Sequence, residues 1–213
     1  MIITFDMNNP IAKTVNRCSW CLSDPLYIHY HDHEWGKPIY DDQRLFAQLR
    51  LELMQSGLRW ITILKKRDNY YHAFDEFDAI KITQYDQAKI EALMQNTGII
   101  RHLGKINAII NNAKAYLAIT EHQSFSDYLW GIATPDGKPV INYPKTLADI
   151  PTQNEVSARL AKALKQQGFK FIGSTTCYAF MQAVGMVNDH LIDCDFRKKP
   201  LYHHRYAGLK YMD

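Results

Sequence analysis

Most of the chain carries apolar residues at the spacing of an amphipathic α-helix. After Asp42, the residues Leu45, Phe46, Leu49 and Leu53 recur at intervals of three and four, which places them on one helical face. The same spacing returns in six later segments, at residues 60–64, 90–94, 101–117, 125–130, 156–164 and 174–184. We therefore predict an all-α fold with at most minor extended segments.

Turn signals separate these helical segments. The run Thr134–Pro139 is a turn by its dipeptides, and the residues around it are the place where we expect extended chain. Pro151-Thr152, followed by Glu155, has the form of a capping box that would open the next helix. A short hairpin at residues 168–173 is predicted to join that helix to the last one.

The sequence predicts one domain. We find no internal repeat, no low-complexity segment and no convincing linker in 213 residues, a length that can bury a substantial core. We predict a single α-helical domain over residues 17–200. A polar N-terminal extension (1–16) would precede it, and a C-terminal tail (201–213) would follow.

Composition narrows the class of protein. Hydrophobic residues make up 46% and charged residues 22% of the chain, which is ordinary for a globular protein. A net charge of +3 permits a nucleic-acid partner without requiring one. No apolar run approaches the roughly 18 residues of a membrane span, and the N-terminus lacks the pattern of a secretory signal. The four cysteines show no disulfide-framework spacing, so we expect a cytoplasmic protein with no membrane partner.

Candidate metal ligands lie near both ends of the chain. Cys18 and His31 fall in a segment rich in Cys, His, Trp and carboxylates, and both residue types bind zinc. His190 and Cys194 are four residues apart, so on a helix they would point from one face. These four residues could clip the ends of the domain together through zinc. Two alternatives stay open, a local Cys18-x-x-Cys21 ligand pair and a redox motif of the same cysteines. Other candidate imidazole ligands are His29, His33, His203 and His204.

Seven short motifs follow one another in the order found in a known family. They occupy residues 18–20, 24–27, 30–36, 55–67, 98–102, 168–173 and 188–190. With these motifs the chain resembles the 3-methyladenine DNA glycosylase I family from about Arg17 to Lys199. The resemblance implies a helix-hairpin-helix DNA glycosylase fold. It also implies an enzyme that hydrolyses the N-glycosidic bond of 3-methyladenine in alkylated DNA and leaves an abasic site.

The resemblance also assigns the metal ligands. It implies one structural Zn²⁺ ion held by Cys18, His31, His190 and Cys194, and it passes over Cys21. Four protein ligands leave no open position for an activated water, so we expect the metal to stabilise the fold. Cys177 lies in an apolar helical segment and is predicted to be a core residue.

A substrate pocket is implied for a group of aromatic residues and one carboxylate. A base flipped out of DNA needs aromatic faces to stack on and polar groups that read its edge. The implied pocket residues are Trp20, Tyr27, Tyr30, Glu52 and Trp60. Glu52 is the candidate catalytic residue, and we expect it to recognise the cationic base rather than to activate water. The alternative is that Glu52 is a solvated surface residue and that the two tryptophans belong to an ordinary core.

The resemblance implies that two segments contact DNA. The first enters the duplex at the position that the flipped base has left. The second is the hairpin, which binds phosphate through backbone N–H groups and positive charge. The predicted contacts are Gln55, Gly57 and Leu58 in the first segment, and Lys170, Gly173 and Ser174 in the second. Lys65 and Lys66 add candidate phosphate contacts. The chain departs from the family pattern at Leu53 and Arg59, where small residues are expected, and at Phe171, where many such hairpins have Gly. Taken alone, the hairpin is more typical of an ordinary αα-hairpin.

The implied chemistry is hydrolysis without strand cleavage. Many helix-hairpin-helix glycosylases carry a catalytic Asp after this helix, and Asn188 takes that place here. No lysine of the hairpin is an evident Schiff-base nucleophile, with Lys170 as the remaining alternative. We expect a monofunctional monomer that acts on double-stranded DNA and binds free 3-methyladenine as product. Two other function classes are a zinc-stabilised DNA-binding module without activity and a Cys18-x-x-Cys21 redox protein. The lack of alternating strands and helices disfavours the redox protein.

Overall fold

The computed structural model describes residues 15–197, which form a helical bundle with one short pair of strands. The helices are α1 (Pro25–His33), α2 (Asp42–Gln55), α3 (Trp60–Leu64), α4 (Arg67–Ala73), α5 (Ala79–Thr83), α6 (Gln87–Gln95), α7 (Leu103–Thr120), α8 (Phe125–Ala133), α9 (Glu155–Gln166) and α10 (Ser174–Ala183). The strands are β1 (Val140–Ile141) and β2 (Val187–Asn188). Short 3-10 helices cover Ser19–Cys21, Asp75–Phe77 and Leu147–Asp149. The predicted all-α fold with minor extended segments is confirmed.

Polar residues in front of several helices determine where these helices begin. An aspartate side chain accepts a hydrogen bond from a first-turn backbone N–H, which satisfies a donor that a helix start leaves unpaired. In α1, α2 and α6 these caps are Asp24, Asp41 and Asp86. The predicted capping box of Thr152 and Glu155 is wrong. Asn154 and Ser157 form the box instead, because Glu155 is itself the first residue of α9.

Helix α2 lies inside the bundle, where it packs against α3, α7, α8 and α10. Its predicted apolar face is buried, as the nearly zero exposure of Leu45 and Leu49 shows. Neighbouring elements also cover other sides of its second half, so two charged side chains, Arg50 and Glu52, are buried as well. Amphipathic spacing alone does not predict this, because a helix that is covered on several sides has no solvated face there.

The last two helices pack against each other, and α10 also packs against α2. Helix α9 packs against α8 and α10, and the hairpin at residues 168–173 connects it to α10. Cys177 lies in α10 and is fully buried, which confirms its prediction as a core residue. This arrangement places the hairpin next to α7, whose side chains contact it directly.

The strands explain one error in the sequence-based prediction. β1 follows the predicted turn and pairs in parallel with β2, with Val140 opposite Val187 and Ile141 opposite Asn188. β2 was not predicted. It leads into a turn rather than a helix, so the prediction that His190 and Cys194 share a helical face is wrong, although both side chains still reach the same place.

The two ends of the described chain lie side by side. The Asn16 backbone N–H donates to Asp195 Oδ2 at 3.0 Å, and the Asp195 N–H donates to the Asn16 carbonyl at 3.0 Å. The predicted tail (201–213) and all but the last two residues of the predicted extension (1–16) are outside the described residues, so the domain boundaries stay predictions. Within residues 15–197, no helix combines the length and apolar character needed to cross a membrane.

Candidate functional site

A cavity of about 360 Å³ opens between α1, α2, α3 and α10, and aromatic rings form one side of it. The ring centroids of Tyr30 and Trp60 are 5.5 Å apart, and those of Trp20 and Tyr27 are 4.8 Å apart. Trp35 extends this wall, with its ring 5.0 Å from Trp20. All four predicted pocket aromatics therefore line one cavity of a size that suits a planar ring system.

Glu52 also lines this cavity, and its side chain is almost fully buried. Its exposed fraction is 3%, which excludes the alternative of a solvated surface residue. Gln48, one turn earlier in α2, donates a hydrogen bond from Nε2 to Glu52 Oε1 at 2.8 Å. No lysine or arginine of the described residues lines the cavity. Burial raises the pKa of Glu52 to about 8, and the bond from Gln48 only partly opposes this rise.

The opposite wall of the cavity consists of residues that the sequence analysis did not identify. They come from α10 and from the segment before α9, and they are Leu147, Ile150, Pro151, Thr152, Thr175, Tyr178, Ala179 and Gln182. Buried Asp189 fixes two of them, because its Oδ2 accepts from the Tyr178 hydroxyl at 2.8 Å and from Gln182 Nε2 at 2.7 Å. Pro151 and Thr152 could have been recognised only as a possible helix start, since nothing in the sequence places them against α1.

The α2–α3 loop (residues 56–59) is exposed and lies beside the cavity. Gln55, just before it, lines the cavity, and the Leu58 N–H donates to the Gln55 carbonyl at 2.6 Å. Gly57 has φ +81°, a backbone conformation that residues with a Cβ atom rarely adopt. Leu58 is 39% exposed. Leu53 is fully buried and so shapes the core beneath the loop, whereas Arg59 is exposed.

The hairpin presents Lys170 to solvent. Its backbone takes left-handed conformations at Gly168, with φ +90°, and at Phe171, with φ +55° and a half-exposed ring. Gly173 immediately precedes α10, and Ser174 is the first residue of that helix. The Ser174 hydroxyl donates to the side chain of Gln153, so this hydroxyl already has a partner within the protein.

Two lysines that follow α3, Lys65 and Lys66, are less available for a phosphate contact than the sequence indicates. Lys65 forms an ion pair with Asp24, with 2.5 Å between Nζ and Oδ2. Lys66 donates to the carbonyls of Thr97 and Gly98 at 2.9 and 3.3 Å. Both lysines are therefore engaged with the protein, and Lys170 is the clearer candidate for a phosphate contact.

The predicted metal ligands Cys18, His31, His190 and Cys194 form a buried cluster, the Cys/His cluster, and their ligand atoms all lie within 4.8 Å of one another. The two imidazole nitrogens, His31 Nε2 and His190 Nδ1, are 3.1 Å apart. Cys194 Sγ lies 3.5 and 3.4 Å from these nitrogens, and Cys18 Sγ lies 3.7 Å from His190 Nδ1. A tetrahedral zinc site with ordinary bond lengths has edges of about 3.3 to 3.8 Å, so the four residues fit zinc.

Hydrogen bonds to the other nitrogen of each imidazole strengthen this fit. His31 Nδ1 pairs with Asp32 Oδ1 at 2.8 Å, and Arg17 binds the same carboxylate. His190 Nε2 lies 3.3 Å from the Trp35 carbonyl. Such outer partners fix the tautomer that leaves the inner nitrogen free to bind a metal. A hydrogen bond from the Cys18 thiol holds the pKa of Cys194 well below its usual range, which favours the thiolate that zinc binds.

The alternative ligands do not join the cluster. Cys21 Sγ donates to the Cys18 carbonyl at 3.1 Å, and burial raises the pKa of this thiol to about 11. His29 and His33 contact each other with tilted rings, whose centroids are 4.6 Å apart, on the exposed side of α1. His203 and His204 are outside the described residues.

Comparison with known proteins gives one consistent result. The model of the methyladenine glycosylase family matches residues 20–198. A Haemophilus influenzae protein named DNA-3-methyladenine glycosylase is 52% identical over 179 residues, which cover 84% of this chain and 96% of that protein. An Escherichia coli protein named DNA-3-methyladenine glycosylase 1 is 49% identical over 181 residues, with 84% and 96% covered. A solved structure of a 3-methyladenine DNA glycosylase I variant in complex with 3-methyladenine has a TM-score of 0.82 and 40% identity, and covers 87% of this chain and 100% of that one.

Proposed function

The chain belongs to the methyladenine glycosylase family, and on that premise we propose that it excises 3-methyladenine from DNA. It is an enzyme, a DNA-3-methyladenine glycosylase that hydrolyses the N-glycosidic bond of the damaged nucleotide and leaves an abasic site. Its named relatives and the neighbour with bound 3-methyladenine support this function. The observation in this chain that carries it is the aromatic cavity with a buried carboxyl group, which a module that binds only phosphates would not need.

The cavity suits a cationic base for two electrostatic reasons. Electron-rich rings such as those of Tyr30 and Trp60 attract a cation by about 0.5 to 2 kcal/mol per contact. Glu52 is a neutral acid in the empty cavity at pH 7, because burial raises its pKa to about 8. A cationic base beside it favours the carboxylate, so binding of the lesion would release the Glu52 proton and form a charge-assisted pair.

The bound base itself provides much of the driving force for the reaction. Adenine alkylated at N3 is positively charged while it is bonded to the sugar and leaves as a neutral molecule, which weakens the glycosidic bond before any residue acts. The protein then has to flip this base out of the duplex, bind it and orient it. A protein segment must also fill the space that the base leaves between its neighbouring base pairs. Glu52 contributes by stabilising the charged bound state, and we assign it to recognition rather than to activation of water.

The reaction is proposed to stop at the abasic site. Asn188, the residue in the position of the superfamily's catalytic Asp, is a buried amide in β2 and has no carboxylate to stabilise a covalent intermediate. Lys170 is exposed on the hairpin and does not line the cavity. A Schiff base with the sugar would need an amine at the cavity, so this geometry supports a monofunctional glycosylase.

Two segments are proposed to contact double-stranded DNA. The tip of the α2–α3 loop, Gly57 and Leu58, would fill the space that the flipped base vacates, with Gln55 beside it. Lys170 and the backbone N–H groups at Gly173 and Ser174 would bind phosphate in a helix-hairpin-helix manner. The exposure of Leu58 and Lys170 supports both assignments.

Zinc is proposed to hold the Cys/His cluster together as a structural ion. Four protein ligands complete its coordination, so zinc would supply folding free energy and no activated water. A cytoplasmic location is proposed from the spacing of the four cysteines, which is not that of a disulfide framework.

Release of free base from methylated duplex DNA tests the proposal. The purified protein should liberate 3-methyladenine and leave alkali-labile abasic sites, without nicking the strand itself. A mock purification from cells that do not express the protein serves as the control for contaminating activity. A protein that binds duplex DNA but liberates no base would instead be a zinc-stabilised DNA-binding module.

A further inference from the structure

Helix α7 reaches the start of the α2–α3 loop through a buried lysine. The Lys105 ammonium donates to the Met54 carbonyl at 2.9 Å and to the Ser56 carbonyl at 2.6 Å. The residue is only 7% exposed, so its charge has little access to solvent. These two carbonyls belong to the last turn of α2 and to the first residue of the loop.

Burial of this ammonium group costs free energy, because the group loses its contact with water. Burial lowers the pKa of Lys105, and none of the ion pairs among residues 15–197 gives it a carboxylate partner. Its compensation is the negative end of the α2 dipole and two backbone carbonyls that lack helical partners. The ammonium therefore fixes the path on which the chain leaves α2.

The same helix holds the hairpin about two turns further along. Asn112 is fully buried, and its side-chain amide pairs twice with the Lys170 backbone: Nδ2 donates to the carbonyl at 3.0 Å, and Oδ1 accepts from the N–H at 2.6 Å. Asn111 Nδ2 donates to the Gly168 carbonyl at 2.7 Å. At the start of α7, a Cβ on Gly104 would lie only 3.2 Å from the Phe171 ring, so the helix and the hairpin are in close contact there.

We propose that Lys105 and Asn112 are positioning residues for DNA binding, and that α7 is a strut that holds the α2–α3 loop and the hairpin at one fixed separation. Both segments can then engage one duplex at the same time, the loop at the vacated base and the hairpin at the backbone. The inference rests on the proposed function. Because both side chains are buried, they act through the segments that they hold and do not touch DNA.

Three probes separate positioning from direct contact: a duplex with a stable abasic-site analogue, the same duplex intact, and free 3-methyladenine. Lys105→Met removes the ammonium but keeps an unbranched chain. It should weaken binding of the abasic duplex roughly 10- to 100-fold, as expected for the loss of charged hydrogen bonds to carbonyls. Affinity for the intact duplex should fall less, because the loop has no vacancy to fill there. Affinity for free 3-methyladenine should not change.

The salt dependence of binding identifies the mechanism. A buried lysine releases no counterions from DNA, so Lys105→Met should keep the wild-type salt slope, whereas Lys170→Ala should lower that slope by about one. Asn112→Ala should weaken both duplexes alike while affinity for the free base persists. Matched controls on the exposed side of α7 are Lys114→Met and Asn107→Ala, which should behave as wild type.

Rescue and folding controls decide the remaining outcomes. Lys105→Arg can still donate to both carbonyls and should recover most of the abasic-duplex affinity. If Lys105→Met does not unfold cooperatively, Lys105→Gln replaces it. Wild-type affinity for the abasic duplex, an equal loss of free-base affinity, or a reduced salt slope in the Lys105 variant would each overturn the inference. If the wild type liberates no 3-methyladenine, the proposed function fails, and the duplex comparison still decides whether α7 is a strut.

Discussion

At the scale of single residues, the burial of Glu52 decides how the cavity responds to a ligand. A solvated carboxylate would be charged at all times near neutral pH and would change little when a base arrives. The buried group is a neutral acid until a cation favours its ionised form, because its pKa is raised to about 8. The cavity therefore discriminates between neutral and cationic purines by an ionisation that only a cationic base favours.

This burial predicts an unusual dependence of stability on pH. The folded pKa of Glu52, about 8, lies above its unfolded value of about 4.3, so the folded state keeps a proton that the unfolded state loses. The contribution of Glu52 to stability should consequently fall as pH rises from about 4 to 8. Glu52→Gln has no such proton and should be more stable than wild type at pH 8, by on the order of a few kcal/mol, with little difference near pH 4.

Urea unfolding of both proteins at pH 4.5 and at pH 8 measures this difference. Glu121→Gln removes a carboxylate at the exposed end of α7 and should leave the pH dependence of wild type unchanged. If the unfolding free energy changes by the same amount between the two pH values in Glu52→Gln and in wild type, the Glu52 pKa is not raised.

At the scale of elements, helical periodicity predicted most helices of the bundle, but it missed α1, α4 and α5 and the buried polar contacts. Leu45 and Leu49 carry a pattern that any amphipathic helix shows, and α2 formed as expected. The burial of Arg50 and Glu52 depends on which elements surround α2, and this is a tertiary property. The sequence did not predict the burial of Lys105 either, because a lone lysine in a helix ordinarily faces water.

The residues of the site that belong to recognisable motifs were predicted. The residues that only the tertiary fold brings into the site were missed. The Cys/His cluster and the aromatic wall were predicted because the family resemblance assigns their residues, and the Cys and His residues near the two ends of the chain already indicated a possible zinc site. The wall that includes Tyr178 and Gln182 comes from α10, which lies near α1 only after the ends are joined. The segment that carries His190 and Cys194 is not helical, because a four-residue spacing is also compatible with a chain that folds back.

The hairpin should contribute to DNA affinity without contributing to sequence choice. Lys170 is exposed and can reach only phosphate in this account, so Lys170→Ala should weaken binding to all undamaged duplexes alike and reduce the salt slope by about one. Fluorescence anisotropy with several unrelated duplexes over a salt series measures both effects. Lys81→Ala, an exposed lysine of α5, is the matched control. Strong preference among undamaged sequences would contradict a backbone-only contact.

At the scale of the whole molecule, the Cys/His cluster joins the beginning and the end of the described chain. Cys18 and His31 precede the core helices, whereas His190 and Cys194 follow them, and the backbone pairing of Asn16 with Asp195 lies beside the cluster. A clip between such distant positions restricts the unfolded chain strongly and also fixes α1, which carries two of the cavity aromatics.

Loss of one thiolate should therefore reduce stability before it changes chemistry. The wild type should bind one zinc ion per chain, and Cys194→Ser should lower both the metal content and the melting temperature. Cys21→Ser alters a buried cysteine outside the cluster and should keep its zinc. A zinc-free protein with wild-type stability would rule out the clip.

The central claim is that the cavity recognises a damaged base through Glu52 and its aromatic wall. Titration of free 3-methyladenine into wild type and Glu52→Gln tests it most directly, when paired with single-turnover excision from the same lesion. Free 3-methyladenine is neutral, so it forms the charge-assisted pair only by taking the Glu52 proton. Glu52→Gln keeps the shape and one acceptor oxygen but has no acidic proton to give, so it is left with a neutral hydrogen bond of roughly half the strength. We predict weaker base binding and slower excision that remains measurable, because the leaving group is intrinsically good. Unchanged base affinity with abolished excision would contradict the recognition role and would make Glu52 the group that activates water.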